Sequence, residues 1–142
     1  MRKLTTLIAA ASLAQLLSIA SAGAEIVVIV NNKNPVNSLN ADQVEKLFLG
    51  KSSAFPDGAA AIPVDLPKGA EREQFYQKST GKSPSQLRAY WSKQIFTGSG
   101  QPPKEAESVQ EMVNLVGRNP NLIGYVDKAA VNNTVKPVFT LP

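Results

Sequence analysis

The 142-residue chain contains neither cysteine nor histidine. Without cysteine there are no disulfides, no thiolate nucleophile and no thiolate metal site, so an exported form has to be held by packing alone. Without histidine the chain lacks the commonest general base near neutral pH and the usual imidazole ligand for zinc or copper. A Ser-His-Asp or Cys-His centre cannot be assembled from these residues. Other features are missing too. There is no run of Lys/Arg of the kind that forms a nucleic-acid stripe or a polybasic membrane segment. No Asp/Asn cluster has the alternation of a calcium loop. Internal repeats, low-complexity tracts and linkers are absent. The acids sit mostly in first turns of helices, where the helix dipole accounts for them. A hydrolase built on a carboxylate pair is therefore a remote third reading. Neither an enzyme nor a cofactor or metal is expected.

What is present begins with a leader. Arg2 and Lys3 precede a mostly apolar stretch from Leu4 to Ile19, and small residues close it at Ala20-Ser21-Ala22 and Ala22-Gly23-Ala24. That is the pattern of a secretory signal peptide over residues 1–24, with cleavage before Glu25. Ser12, Gln15 and Ser18 interrupt the apolar run and count against a membrane anchor. The expected product is residues 25–142, one domain with no further membrane span. The formal charge of +4 includes the two leader cations; without them 13 Lys+Arg face 11 Asp+Glu, a net of +2.

Along the remaining chain, Ile26–Val30 is apolar without alternation and reads as a strand buried on both faces. Asn40 caps a helix with Gln43 as capping-box partner; Ala41, Val44, Leu47 and Phe48 form its inner face and Gly50 ends it. Ala61–Asp65 is a second strand, with Pro63 marking an edge or a strand start. Pro67-Lys68-Gly69 turns into a helix from Ala70, with Phe75 and Tyr76 inward. Ser83-Pro84-Ser85-Gln86 is a complete helix start, followed by Leu87, Tyr90, Trp91 and Ile95 at helical spacing. Thr97–Lys104 is a Gly/Pro loop. Ser108 with Glu111 opens another boxed helix with Val109, Met112, Val113 and Val116 inward, closed by Gly117. Leu122–Val126 is a strand whose Gly124 signals a close approach, and Thr134–Phe139 is a last strand with Pro137 at an edge. The order predicts a single α/β domain with a small mixed sheet flanked by helices.

Three segments carry a resemblance. Leu39–Lys51 is similar to the helix "L-t-x-x-q-l-x-x-I-F-x-G-k" of periplasmic phosphate-binding proteins that serve ABC importers. Tyr90-Trp91 with Ile95-Phe96-Thr97-Gly98 resembles the aromatic helix and following loop of that family's short members. Pro120–Val126 resembles its "P-g-A-I-G-Y-v" strand. The segments follow the family's order and span nearly all of residues 25–142. The resemblance implies a periplasmic-binding-protein-like (type II) fold, a Gram-negative periplasm, and capture of phosphate or another small oxyanion. It also implies an ABC permease or other envelope protein as partner. Full-length members close two lobes on the anion; this chain matches only the distal lobe, so a partner or a dimer would complete the cleft.

The family's anion site is altered here. Where the lobe offers an Arg and then Ser-Gly-Thr at a helix N-terminus, this chain has Asp65 and then Gly69, Ala70 and Glu71. Two hydroxyls are lost and two carboxylates gained. Lys68, Gly69, Ala70 and Arg72 remain as the candidate anion site, since helix N–H groups and cations favour negative charge, with Ser38 across the groove. The bland reading of the same stretch is a turn and an ordinary exposed first helical turn. Asn31, Asn32, Asn37 and Ser38 are candidates for a polar pocket beyond the first strand, or plain loop formers. Tyr90-Trp91 reads as core packing before it reads as a stacking platform. The competing functional reading is a ligand-free scaffold, the lobe retained to dock an envelope protein.

Overall fold

In the computed structural model, which describes residues 25–142, one strand organises the rest. Strand β1 (Ile26–Asn31) is buried along its whole length. The reason is its place in a five-stranded mixed sheet of order β3-β2-β4-β1-β5. The other strands are β2 (Ile62–Asp65), β3 (Lys104–Glu105), β4 (Leu122–Asp127) and β5 (Val135–Thr140). β1 runs antiparallel to both β4 and β5, and β2 runs parallel to β3 and β4. Helices α1 (Ala41–Phe48), α2 (Ala70–Thr80), α3 (Pro84–Phe96) and α4 (Val109–Arg118) complete the domain.

Two neighbouring residues of β4 show that helices cover both faces. Successive strand side chains point to opposite sides. At Gly124 a Cβ would lie 2.3 Å from Met112 Sδ of α4. The next ring, Tyr125, stacks on Phe75 of α2 at 3.8 Å between centroids and meets Phe48 of α1 edge-on at 5.7 Å. α4 therefore packs on one face, and α1 with α2 on the other. This is why β1 carries no polar alternation.

Local signals place the helices as the sequence predicts, with informative exceptions. The capping boxes at Asn40/Gln43 and Ser83/Gln86 are both formed. At Ser108 the cap accepts from Glu111 N–H, but the Glu111 carboxylate turns to the N–H of Glu107 rather than to that of the cap. Gly50 follows α1 with φ of 70°, a left-handed conformation that favours glycine, and the Trp91 ring lies against it. Gly117 does not close α4, which runs on to Arg118; an added Cβ there would meet Thr134 Oγ1 at 2.5 Å. Pro63 is the second residue of β2, and Pro137 lies in β5, an end strand. β3 falls in what the sequence presents as loop and turn. Ala41 is exposed, and Ile95, expected inward, is 56% exposed because α3 ends beyond its packed portion at Leu87 and Trp91.

The asparagines after β1 serve as ties. Asn31 Nδ2 donates to the Val116 carbonyl at 3.0 Å while its Oδ1 accepts from Lys33 N–H. Asn34 Nδ2 donates to the Pro120 carbonyl, Asn32 Nδ2 to that of Asn133, and Asn37 Oδ1 accepts from Lys136. These bonds hold the loop to the far end of α4 and to β5. The leader expectation falls on residues 1–24, outside the described residues. Among the described residues no helix is long and apolar enough to cross a membrane.

The Gly124 contact yields a test. Gly124→Ala is expected to destabilise the fold by about 1–3 kcal/mol through overpacking, read as a lower urea midpoint. Combined with Met112→Ala, the two losses should sum to clearly less than their separate values, because the second change removes the atom the first one strikes.

Candidate functional site

β2 ends in Asp65, whose residue is 1% exposed. A buried carboxylate has to be surrounded by donors, and four groups supply them. Tyr76 Oη donates to Oδ2 at 2.8 Å, and Tyr125 Oη donates to Oδ1 in a short bond. Leu66 N–H donates to Oδ1 at 3.0 Å, and Arg72 Nη2 stands 3.5 Å from Oδ2. Burial nonetheless dominates and raises the Asp65 pKa above its ordinary value, against the lowering effects of Tyr125, Arg72, Tyr76 and Leu66 N–H. Both tyrosines are pushed up in turn, first by burial and then by the Asp65 charge.

The same network fixes the start of α2. Gly69 is its N-cap in extended backbone, and no side chain caps the helix. Arg72, one turn in, also donates to Glu105 Oε1 of β3 at 2.6 Å. Burial opposes the Arg72 charge, but Asp65 and Glu105 more than offset it, so its pKa is raised. The guanidinium named as an anion ligand thus already holds two carboxylates of its own chain, one buried and one exposed.

Between α2 and α3 lies a cleft of about 330 Å³. Lys68, Gly69 and Arg72 line its α2 side; Lys82, Arg88, Leu87, Trp91 and Ile95 line its α3 side. Among the described residues Glu73 is the one acid on its wall. Among the described residues Lys68, Lys82 and Arg88 form no ion pair with a carboxylate, although Lys82 Nζ lies over the Tyr90 ring at 5.2 Å. Tyr90 Oη donates to the Leu49 carbonyl at 2.6 Å, fastening α3 to the end of α1. Trp91 Nε1 is buried without a hydrogen-bond partner, as is Glu71 Oε2.

The structure brings Lys68, Gly69 and Arg72 together on this cleft, with Ala70 beside them as the first residue of α2. Ser38 is not with them. Leu39 N–H donates to the Val138 carbonyl at 2.8 Å, which sets Ser38 beside β5, at the other end of the sheet from β2 and β3. Glu71, expected over the helix start, does not line the cleft. Lys82 and Arg88 escaped the sequence reading; the only trace of them was two cations flanking the Ser83 helix start. Among the described residues no group of three or more acidic side chains could hold a metal ion.

No family model matches the sequence, and no curated protein matches it. Solved structures do. A Clostridium perfringens protein assigned as a phosphate ABC transporter substrate-binding protein, with phosphate bound, superposes with a TM-score of 0.62 at 23% identity over 80% of this chain and 44% of its own. An ABC-type phosphate transport receptor from Vibrio cholerae gives 0.63 at 18% identity over 80% and 45%. A candidate phosphate-binding protein from Planctomyces limnophilus gives 0.58 at 11% identity over 80% and 40%. The match spans less than half the length of each. The fold is therefore that of part of these longer structures, a mixed sheet flanked by helices, as the sequence resemblance implies.

The Asp65 network predicts two outcomes. Tyr125→Phe removes a donor from a buried carboxylate and should cost about 1–3 kcal/mol in urea unfolding. Asp65 has a folded pKa above the unfolded value of 3.8, so the native state binds its proton more tightly. Relative to Asp65→Asn, the wild type should gain stability as pH falls through the folded pKa toward 3.8, and lose that gain as pH rises again. Paired urea midpoints across acid pH check the sign.

Proposed function

We propose that this chain is a substrate-binding-type protein of the kind associated with phosphate ABC importers, taking phosphate or another small oxyanion at the cleft between α2 and α3. The observation that carries the reading is the set of cations without carboxylate partners, Lys68, Lys82 and Arg88, gathered on one cleft at the uncapped start of α2. Positive side chains and a helix N-terminus both favour an anion there. The phosphate in the C. perfringens neighbour supports the same chemistry. Export to the periplasm, docking to an ABC permease or other envelope protein, and completion of the cleft by a partner or a second copy belong to the same proposal.

One observation favours the scaffold reading. Asp65 and Glu105 already hold Arg72, while Ser38 sits by the far strand of the sheet. In that reading the lobe is retained for docking, and its own carboxylates stand where a ligand would.

Titration calorimetry of phosphate into the purified protein, at low ionic strength and neutral pH, separates the two. Oxyanion capture predicts saturable binding, weakened about 2–5-fold by Lys68→Ala, the range of a partly solvated charge pair. Glu105→Gln should strengthen it by a similar factor, since it releases one side of the Arg72 fork. A flat titration in all three proteins would reject stand-alone capture of this anion and leave a different solute, a cleft completed by a second chain, or the scaffold.

A further inference from the structure

We propose that the ligand of the α2–α3 cleft is an organic anion with an apolar body, of the class of aryl or alkyl phosphate monoesters, rather than a bare oxyanion; the inference rests on the oxyanion reading above. Three observations lead there. The first is size. A cleft of about 330 Å³ falls within the roughly 300–1,000 Å³ of small-molecule pockets. A tetrahedral oxyanion fills only a few water volumes of roughly 30 Å³ each.

The second is the wall. Leu87, Trp91, Ile95, Pro84 and Pro102 make its surface mainly apolar. The Tyr76 hydroxyl is already given to Asp65, so among the described residues Ser92 is the remaining side-chain hydroxyl on the cleft. A bare phosphate needs many converging donors to replace its water. This wall offers few of them, but it offers carbon surface to an attached hydrocarbon.

The third is Ile95. It lies on the cleft at 56% exposure, a large side chain for which the fold itself supplies no cover. Lys68, Lys82 and Arg88 would take the phosphoryl group while the body covers Ile95 and Leu87. Charged groups that fix orientation beside an apolar wall are the usual make-up of such sites.

Trp91 is the chain's one tryptophan and lies on this wall, so its emission reports occupancy directly. The protein is titrated with inorganic phosphate and with phenyl phosphate, following Trp91 fluorescence and calorimetric heat. The expected result is phenyl phosphate binding at least about tenfold tighter than inorganic phosphate, with a saturable change in Trp91 emission. Ile95→Ser, at an exposed position, should shrink that preference to below about threefold. Inorganic phosphate binding as tightly as phenyl phosphate would overturn the inference and leave oxyanion capture standing. A preference that Ile95→Ser leaves intact would place the body elsewhere and overturn the assignment. No binding of either compound up to millimolar concentration would overturn both readings together.

Discussion

The buried carboxylate of Asp65 is the constraint around which the rest of the described chain is arranged. A charge or a protonated acid at that depth is tolerable only with its oxygens satisfied. The donors arrive from four places in the sequence: Leu66 next in line, Arg72 and Tyr76 on α2, and Tyr125 on β4. Satisfying Asp65 therefore fixes where α2 starts and how it is rotated against the sheet. It also aligns Tyr125 so that its ring stacks on Phe75. The polar network and the aromatic core thus share Tyr76 and Tyr125, two side chains whose hydroxyls reach the acid and whose rings pack.

That arrangement decides what remains for a ligand. Arg72 is one of the two cations of the expected anion site, and the fold has claimed it. Its neighbours in the cleft are not claimed. Lys68 is exposed at the helix start, Lys82 rests on Tyr90, and Arg88 lies on α3 without a carboxylate. The positive field of the cleft therefore comes from its rim and from the α3 side. Shielding by water is strongest there, so such a field steers and orients more than it grips.

How far this was legible in the sequence depends on the range over which each feature is encoded. Helix starts are local: Asn40 with Gln43 and Ser83 with Gln86 sit three residues apart, and both boxes form as read. The unbroken apolar run of Ile26–Val30 announced a strand covered on both sides, and Gly124 announced a close neighbour, though not that it would be Met112. The candidate site was half legible for the same reason. Lys68, Gly69 and Arg72 lie within one turn and stayed together. Ser38 was joined to them as a polar residue beyond the first strand, and the topology carried it to β5. Lys82 and Arg88 meet Lys68 only because α3 folds back on α2, and Tyr125 reaches Asp65 across 60 residues. No periodicity encodes those meetings. Two-residue β3 lies below any pattern, and Ile95 kept a helical spacing past the point where α3 has anything to pack on.

The two partners of Arg72 differ in what they permit. Asp65 is buried, and parting it from its donors would strand a charge in the interior. Glu105 has a side chain 50% exposed, and an ion pair at such a position contributes little net stability. The guanidinium presents several N–H groups in a planar fork. One side of that fork is committed to the core and the other is held by a partner that water can replace. Arg72 can therefore hold the fold together and still offer a hydrogen bond to an arriving anion, provided that Glu105 swings aside. A lysine also has several donors, but they sit on one nitrogen and lack the fixed planar fork that aims separate N–H groups at two partners. On the proposed oxyanion reading, the start of α2 still has means to meet an anion although it lacks the hydroxyl motif of the family that the sequence resembles. The chain keeps one conditional guanidinium bond, a rim of unpaired cations and an apolar wall. That combination favours ligands able to use all three.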